Sequence, residues 1–549
     1  MAGLDDSHDK YKALRPVQIT KSEEKIQSAM KVLESEFINP FGVDIDENKL
    51  IHLSSGIAVD DTAADEILRT VEIGQKLRNE FWTDRLETNK VAFHDSIKQT
   101  NFQTFSKATK KTVKIGKGGK TKTAEVNRNI LSTLIFYEMK TGKLIDYEKA
   151  LQYPLTPVPL SICHPDGNRR TTGKSKLKDI LFKGIPSHNI NDNDSKDAVV
   201  VDLVALLNTL VGIPETYAGL ADKLVKALPK AYSQVDLVAD VYHSTSLKGL
   251  ERKSRGEAAR IHIASLQSKV PSDFSRILRN GDNKTRLTEL IIEYIEKTTV
   301  KVFNIIRCRK IIISTGSKCV SISHAGVVQV PSLISSQEEA DTRMMLHCHK
   351  IATELPAAKI TIRSPSGDTD VVVVLSPFAD RIILDDGNGE NCRQILLADI
   401  DVDEDVVSSL IGFHAFTGND FVSSFFRKGK ETCFKVMERR AKFLSTFTQL
   451  GTTWELTEEL KRELEHFVCA LYGSKLKDVD LVRHEMFKKK MSKEKKIKDM
   501  ALLAPCRSVL ELHCERANYY AAILKRSLVN YMDDPDWSLH GWNSDRTPR

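Results

Sequence analysis

The chain has 549 residues, 41% hydrophobic and 28% charged, with 81 basic against 74 acidic side chains and a formal net charge of +7. Domains of about 100–200 residues make this two to four units, and the composition excludes a disordered chain. The mildly basic balance permits a polyanionic partner without demanding one, and no apolar run approaches the ~18 residues of a membrane span.

Nine cysteines lie scattered with no CxxC pair, which suits buried thiols in a reducing compartment. The opening MAGLDDSHDKYKALRP contains no apolar leader segment. These features lead us to expect a nuclear or cytoplasmic protein with no membrane partner.

Residues 1–190 read as a mainly helical N-terminal region. Thr20 and Glu23 have capping-box spacing, followed by Ile26, Met30, Leu33 and Phe37 at helical intervals. Residues 62–85 repeat the pattern through Ile67, Leu68, Val71, Ile73, Leu77 and Phe81. The basic run Lys107–Lys122 reads first as a solvated face. Its GKGGKT segment lacks the leading glycine of a phosphate-binding loop, because Lys114 stands there. Three prolines exclude regular helix over Tyr153–Pro159. The polar, turn-rich stretch 186–197 marks a domain boundary near residue 190.

Residues 191–440 have a different texture. Short apolar strands are predicted at Ala198–Val201, Val235–Val241, Ile311–Ser314, Lys359–Arg363 and Val371–Leu375. Helices are predicted over 215–228, 284–298 and 338–355. This alternation implies a central parallel sheet flanked by helices, an α/β domain. Residues 441–549 return to helical patterns and form a C-terminal region, with a second basic run at Lys488–Lys498.

Acids fall at the element boundaries of the middle domain. Asp202 ends the first strand and Asp240 lies near the end of the second. Glu339 and Asp341 open a helix (QEEADTRMM). Asp368 and Asp370 (SGDTDVVVV) enter an apolar strand, and Asp420 sits in a glycine-containing turn (FTGND). Any one of them is explained as a cap or turn residue. Together they fit a pocket for Mg²⁺ or Mn²⁺, hard cations that take oxygen ligands and neutralise crowded carboxylates. Seven acids are more than one ion needs, so two ions are expected, suited to in-line displacement at phosphorus.

In this order, the Asp-ended strand, V-A-D-V-Y, E-A-D-T, S-G-D-T-D and T-G-N-D resemble the flap endonuclease branch of the PIN-domain nucleases. The resemblance implies a PIN-like fold over 191–440, metal ligation by Asp202, Asp240, Glu339, Asp341, Asp368, Asp370 and Asp420, and structure-selective cleavage of DNA or RNA. It departs from that family where Val241-Tyr242 replaces a glycine and where Asp341 is shorter than the family's Glu. The chain is also similar to a set of metazoan proteins, some of mobile-element type, with E-E-A-D-T-R and G-F-H-A-F-T-G signatures.

After Asp240, Lys248, Arg252 and Arg255 share one face of a predicted helix. The family resemblance gives Lys248 and Arg255 the catalytic task of gripping the scissile phosphate and leaves Arg252 as a nucleic-acid contact. A solvated helix face with Glu251 and Glu257 as partners is the plainer alternative. Downstream of Asp420, Arg427, Lys428 and Lys430 resemble the duplex-binding helix hairpin of that family; an ordinary hairpin with exposed lysines is the alternative. His347-Cys348-His349 lacks a second ligand pair and is set aside as a zinc site. The acidic run Asp399–Asp405 suits a helix N-terminus.

Three functions compete. The first is a metal-dependent nuclease. The second is a non-catalytic nucleic-acid-binding or assembly protein that keeps the fold. The third is a transposase of the RNase H-like class, which the tandem D-x-D and the later turn fit poorly.

Overall fold

The computed structural model describes residues 61–93, 112–115, 122–125, 130–156, 158–164, 167–186, 196–242, 249, 260–315, 318–364, 380–387, 393–493 and 500–542, with isolated residues elsewhere before 96. The chain forms two compact units, Met1–Phe136 and Tyr137–Arg549.

In the first unit, β1 (Ile51–His52) and β2 (Ile57–Ala58) pair antiparallel, as do β3 (Thr112–Ile115) and β4 (Lys122–Glu125). The latter pair lies within and just beyond the basic run. The apolar periodicity of 62–85 becomes two helices, α1 (Asp61–Leu68) and α2 (Thr70–Trp82). The described residues near the expected capping box, Thr20, Glu23, Glu24, Ile26 and Gln27, are helical.

The second unit is built on an eight-stranded mixed sheet in the order β12-β11-β10-β5-β6-β7-β8-β9. These strands are β5 (Ala198–Asp202), β6 (Gln234–Val238), β7 (Lys310–Thr315), β8 (Lys318–Ser323), β9 (Gly326–Gln329), β10 (Ile360–Ser364), β11 (Ile382–Asp386) and β12 (Arg393–Leu396). The central five, β11 to β7, are parallel; β12, β8 and β9 join antiparallel at the edges. The expected all-parallel sheet is therefore its core alone. The expected strand at Val371–Leu375 lies outside the described residues.

The strands obey the sequence logic of doubly covered sheets. Val199, Val200 and Val201 of β5 are completely buried, and a run of β-branched residues with no polar alternation survives only where both faces are covered. One face packs on α4 (Leu203–Asn208), α5 (Tyr217–Ala227), α6 (Gly281–Lys297) and α7 (Thr299–Ile306), after the short α3 (Ser175–Leu181) earlier in the chain. Local caps set these helices: Thr216 accepts from Gly219 N and Asn280 from Asn283 N. The other face packs on α8 (Ala340–Glu354), on α3, and on the C-terminal helices α9 (Glu404–Phe416), α10 (Lys430–Met437), α11 (Ala441–Gln449), α12 (Glu458–Leu471), α13 (Val479–Lys493) and α14 (Arg507–Lys525). Residues from 162 to 524 contribute to this one apolar cluster.

The chain runs β5, β6, β7 toward one side of the sheet, then returns across the opposite face through α8 to β10 and β11 on the other side. Strand order therefore reverses between β5 and β10. In open parallel sheets such a switch point leaves a crevice beyond the carboxyl ends of the strands.

Candidate carboxylate site at the carboxyl edge of the sheet

Asp202 is the last residue of β5 and the N-cap of α4. Its Oδ1 accepts from Ala205 N at 2.8 Å. In register it stands beside Val238, the end of β6. Two residues on, Asp240 Oδ1 accepts from Ala340 N at 2.8 Å, and Asp240 Oδ2 accepts from the Tyr242 hydroxyl at 3.2 Å. Val241 N also donates to Glu338 O at 2.8 Å. The end of β6 is thus fastened to the start of α8, where Glu339 is the N-cap and Asp341 lies in the first turn. Four of the predicted acids, Asp202, Asp240, Glu339 and Asp341, stand at the carboxyl ends of β5 and β6 or on the helix tied there.

Tyr242 has a structural role beside Asp240. Its ring lies against Gly281 at the start of α6, where an added Cβ would approach Tyr242 Cγ to 2.8 Å. The Lys284 ammonium lies 4.7 Å from the ring centroid. Glycine at 281 makes room for a tyrosine that reaches back to Asp240.

Asp420 follows Gly418, which takes a φ of 109° that glycine tolerates, and Asn419, whose Oδ1 accepts from Phe421 N and Val422 N. Its Oδ2 accepts from Lys174 Nζ at 2.7 Å, and its carbonyl accepts from Arg169. One turn along α3, Lys178 Nζ donates at 2.8 Å to Asp386, the last residue of β11. Asp420 is therefore linked to the carboxyl edge through α3, on the β11 side.

Asp368, Asp370, Lys248, Arg252 and Arg255 lie outside the described residues. Along the chain, Asp368 comes four residues after Ser364, the end of β10. Among the described residues, no group of three or more His, Cys, Asp or Glu side chains could hold a metal ion. The described acids have the hard-oxygen chemistry that Mg²⁺ or Mn²⁺ requires.

The basic trio after Asp420 divides. Arg427 is exposed, with its guanidinium 5.2 Å from the Phe426 ring centroid. Lys428 lies half-buried over Tyr472, and burial lowers its pKa. Lys430 is 1% exposed; its ammonium bonds His414 O at 2.8 Å and Thr417 Oγ1 at 2.9 Å. It satisfies the carboxyl end of α9 and is not presented to a ligand, so the expectation of a nucleic-acid contact at Lys430 is corrected.

Beneath the acids runs a polar stripe that the sequence reading passed over. Arg343 of α8 is 1% exposed and donates through Nη2 to Ser314 Oγ at 2.8 Å, while its Nε and Nη1 have no partner. Burial lowers its pKa, opposed by the charges of Cys319 and Asp240. One turn on, His347 Nδ1 lies 2.7 Å from Asp236 Oδ2, and Gln234 Nε2 donates to Asp236 Oδ1 at 2.7 Å. The sequence signal was there: Glu339, Arg343 and His347 recur every four residues beside the apolar Ala340, Met344, Cys348 and Ile351. The histidine set aside as a zinc ligand is a core residue with a carboxylate partner.

A separate cleft of about 540 Å³, lined by Lys461, Glu465, Asp478 and Arg507 among others, contains none of the predicted acids. Arg507 bridges Glu465 and Asp478 there.

The chain matches no family model, and no curated protein aligns with it. What stands is the class: an α/β protein with a mixed sheet flanked by helices, acids at its carboxyl edge, and no described helix long and apolar enough to cross a membrane.

Proposed function

We propose that the protein is a metal-dependent nuclease that hydrolyses phosphodiester bonds of DNA or RNA, with a PIN-like domain of the flap endonuclease type. The observation that carries this reading is the strand reversal between β5 and β10. Asp202 ends β5, the S-G-D-T-D segment follows β10 in the chain, and Asp240 fastens the acidic start of α8 beside β5. A switch-point crevice rich in carboxylates suits cations carrying phosphate oxygens.

Asp202, Asp240, Glu339, Asp341, Asp368, Asp370 and Asp420 would hold two Mg²⁺ or Mn²⁺ ions. Bound there, such ions supply Lewis acidity toward phosphate oxygens and lower the pKa of water. The chain's own part is to fix the acids. Asp240 is held from both oxygens, by Ala340 N and by Tyr242, so its orientation is set before any ligand arrives. Lys248 and Arg255 are the residues proposed to orient the phosphate.

One observation favours the second reading, a nucleic-acid-binding or assembly protein that keeps the fold without catalysis: the described acids by themselves do not form a group able to hold a metal. The two readings separate on Asp368 and Asp370. The test is cleavage of labelled single-stranded, duplex and 5′-flap oligonucleotides in Mg²⁺ or Mn²⁺, comparing the native chain with the Asp368→Asn, Asp370→Asn double variant. Metal-dependent cleavage that falls by about 10²-fold or more in the variant is expected. A folded native protein inert on every substrate would leave the second reading standing.

A further inference from the structure

Two segments far apart in sequence, 161–178 and 417–430, are laced into one surface. Ser424 N donates to Arg170 O and Phe426 N to Ser161 O, each at 2.8 Å. Together the segments hold eight lysines and arginines against two acids, Asp166 and Asp420, with Asp179 and Glu431 just beyond their ends and Asp179 paired with Lys176 at 3.0 Å. Lys178 and Lys430 are buried in internal contacts. Six basic residues remain: Arg169, Arg170, Lys174, Lys176, Arg427 and Lys428.

Their arrangement is held in place. Two guanidinium groups lie over the Phe426 ring, Arg170 at 4.2 Å and Arg427 at 5.2 Å from its centroid. Such stacking orients arginine while keeping its charge. Arg427 is exposed yet takes a φ of 55°, in a tight turn closed by Lys428 N to Phe425 O at 3.0 Å. A left-handed conformation is unfavourable for a non-glycine residue, so this turn holds an arginine outward at a conformational cost. The surface also adjoins the acids: Lys174 bonds Asp420, and Lys178, one turn further, bonds Asp386 at the end of β11.

We propose that this two-segment basic face binds the phosphodiester backbone of a nucleic-acid strand and delivers it to the carboxyl edge of the sheet. The destination rests on the nuclease reading; the binding does not. A strand carries a phosphate at every nucleotide, which matches a group of held cations better than an isolated anion does.

The test is fluorescence anisotropy of the full chain with labelled single-stranded DNA and RNA of one sequence, in EDTA, between about 50 and 200 mM salt. The exposed pair is neutralised in Lys176→Gln, Arg427→Gln. Lys475→Gln, Lys477→Gln, exposed in the loop between α12 and α13, is the charge-matched control. The expected result is affinity about tenfold weaker in the face variant, with a salt slope shallower by about 1.4 for two lost phosphate contacts, and near-native binding by the control. Unaltered binding by the face variant, equal weakening in the control, or no binding by the native chain would overturn the proposal. So would polyglutamate competing as well as the oligonucleotide, which would assign the face to an acidic protein. Face-dependent binding without cleavage in Mg²⁺ would sink the nuclease reading and leave this one intact.

Discussion

On the face of the sheet covered by α5 and α6, Val199, Val201, Val235, Leu237, Ile311 and Ile313 meet Leu220, Leu224, Leu287 and Ile291. On the opposite face the same central strands present Asp236 and Ser314, which meet His347 and Arg343 of α8. The first face is held by buried area, which is indifferent to small slips. The second is held by paired polar groups, which are not. Because Arg343 and His347 lie one turn apart and each has its own partner on the sheet, α8 has one rotation and one register that satisfy both. That register fixes Glu339 and Asp341 at the carboxyl edge.

The largest expected effect tests this lock. Asp236→Ala leaves His347 and Gln234 buried without their acceptor and should destabilise the fold by about 4 kcal/mol in urea unfolding. Adding His347→Leu should recover part of that loss, because the two side chains form one unit. Strictly additive costs would mean that the pair does not act as a lock. On the other face, Ile291→Ala should cost about 3 kcal/mol through the cavity it leaves. Across the sheet from Asp236, it should add to Asp236→Ala within about 0.5 kcal/mol.

The contrast also explains what the sequence made legible. Fully apolar runs such as Ala198–Val201 and amphipathic windows such as 215–228 and 284–298 fold as read, since burial alone dictates them. β8, β9, β11 and β12 escaped notice: Lys318–Ser323 breaks its alternation at the adjacent apolar Cys319 and Val320, β9 is exposed throughout, and β11 and β12 are five and four residues long. Short strands of this kind give a weak local signal. At the site, Asp202, Asp240, Glu339 and Asp341 were legible because acids at element boundaries stand out. Arg343, Asp236 and Tyr242 were not, because a polar residue inside an apolar stripe gains its meaning only from its partner across the interface. Lys430 read as a surface cation for the same reason: its bond to the end of α9 is a tertiary fact.

The smallest effect concerns acid. His513 of α14 lies in the C-terminal part of the apolar cluster that also covers the α8 face, edge-on to Phe416 and Phe425 at 4.9 and 4.8 Å. Its Nε2 pairs with Phe416 O at 2.9 Å, and Nδ1 has no partner. Burial first, and the charge of Arg516 second, push its pKa down to about 3, against the pull of the Phe416 carbonyl. In the unfolded chain the same imidazole takes up a proton at about 6.5. Below that pH the unfolded state binds a proton the native state refuses, so stability falls by about 1.4 kcal/mol per pH unit on descending toward 3. Above it, neither state is protonated and the slope vanishes. His513→Gln keeps a donor for Phe416 O and removes the titration. The native protein's advantage over this variant should therefore shrink by about 2 kcal/mol between pH 7 and pH 5 in urea unfolding, whereas Ile291→Ala should keep a constant deficit over the same range. Parallel curves for the native chain and His513→Gln would mean that acid sensitivity does not come from this imidazole, and the two faces would then differ in geometry but not in their response to protons.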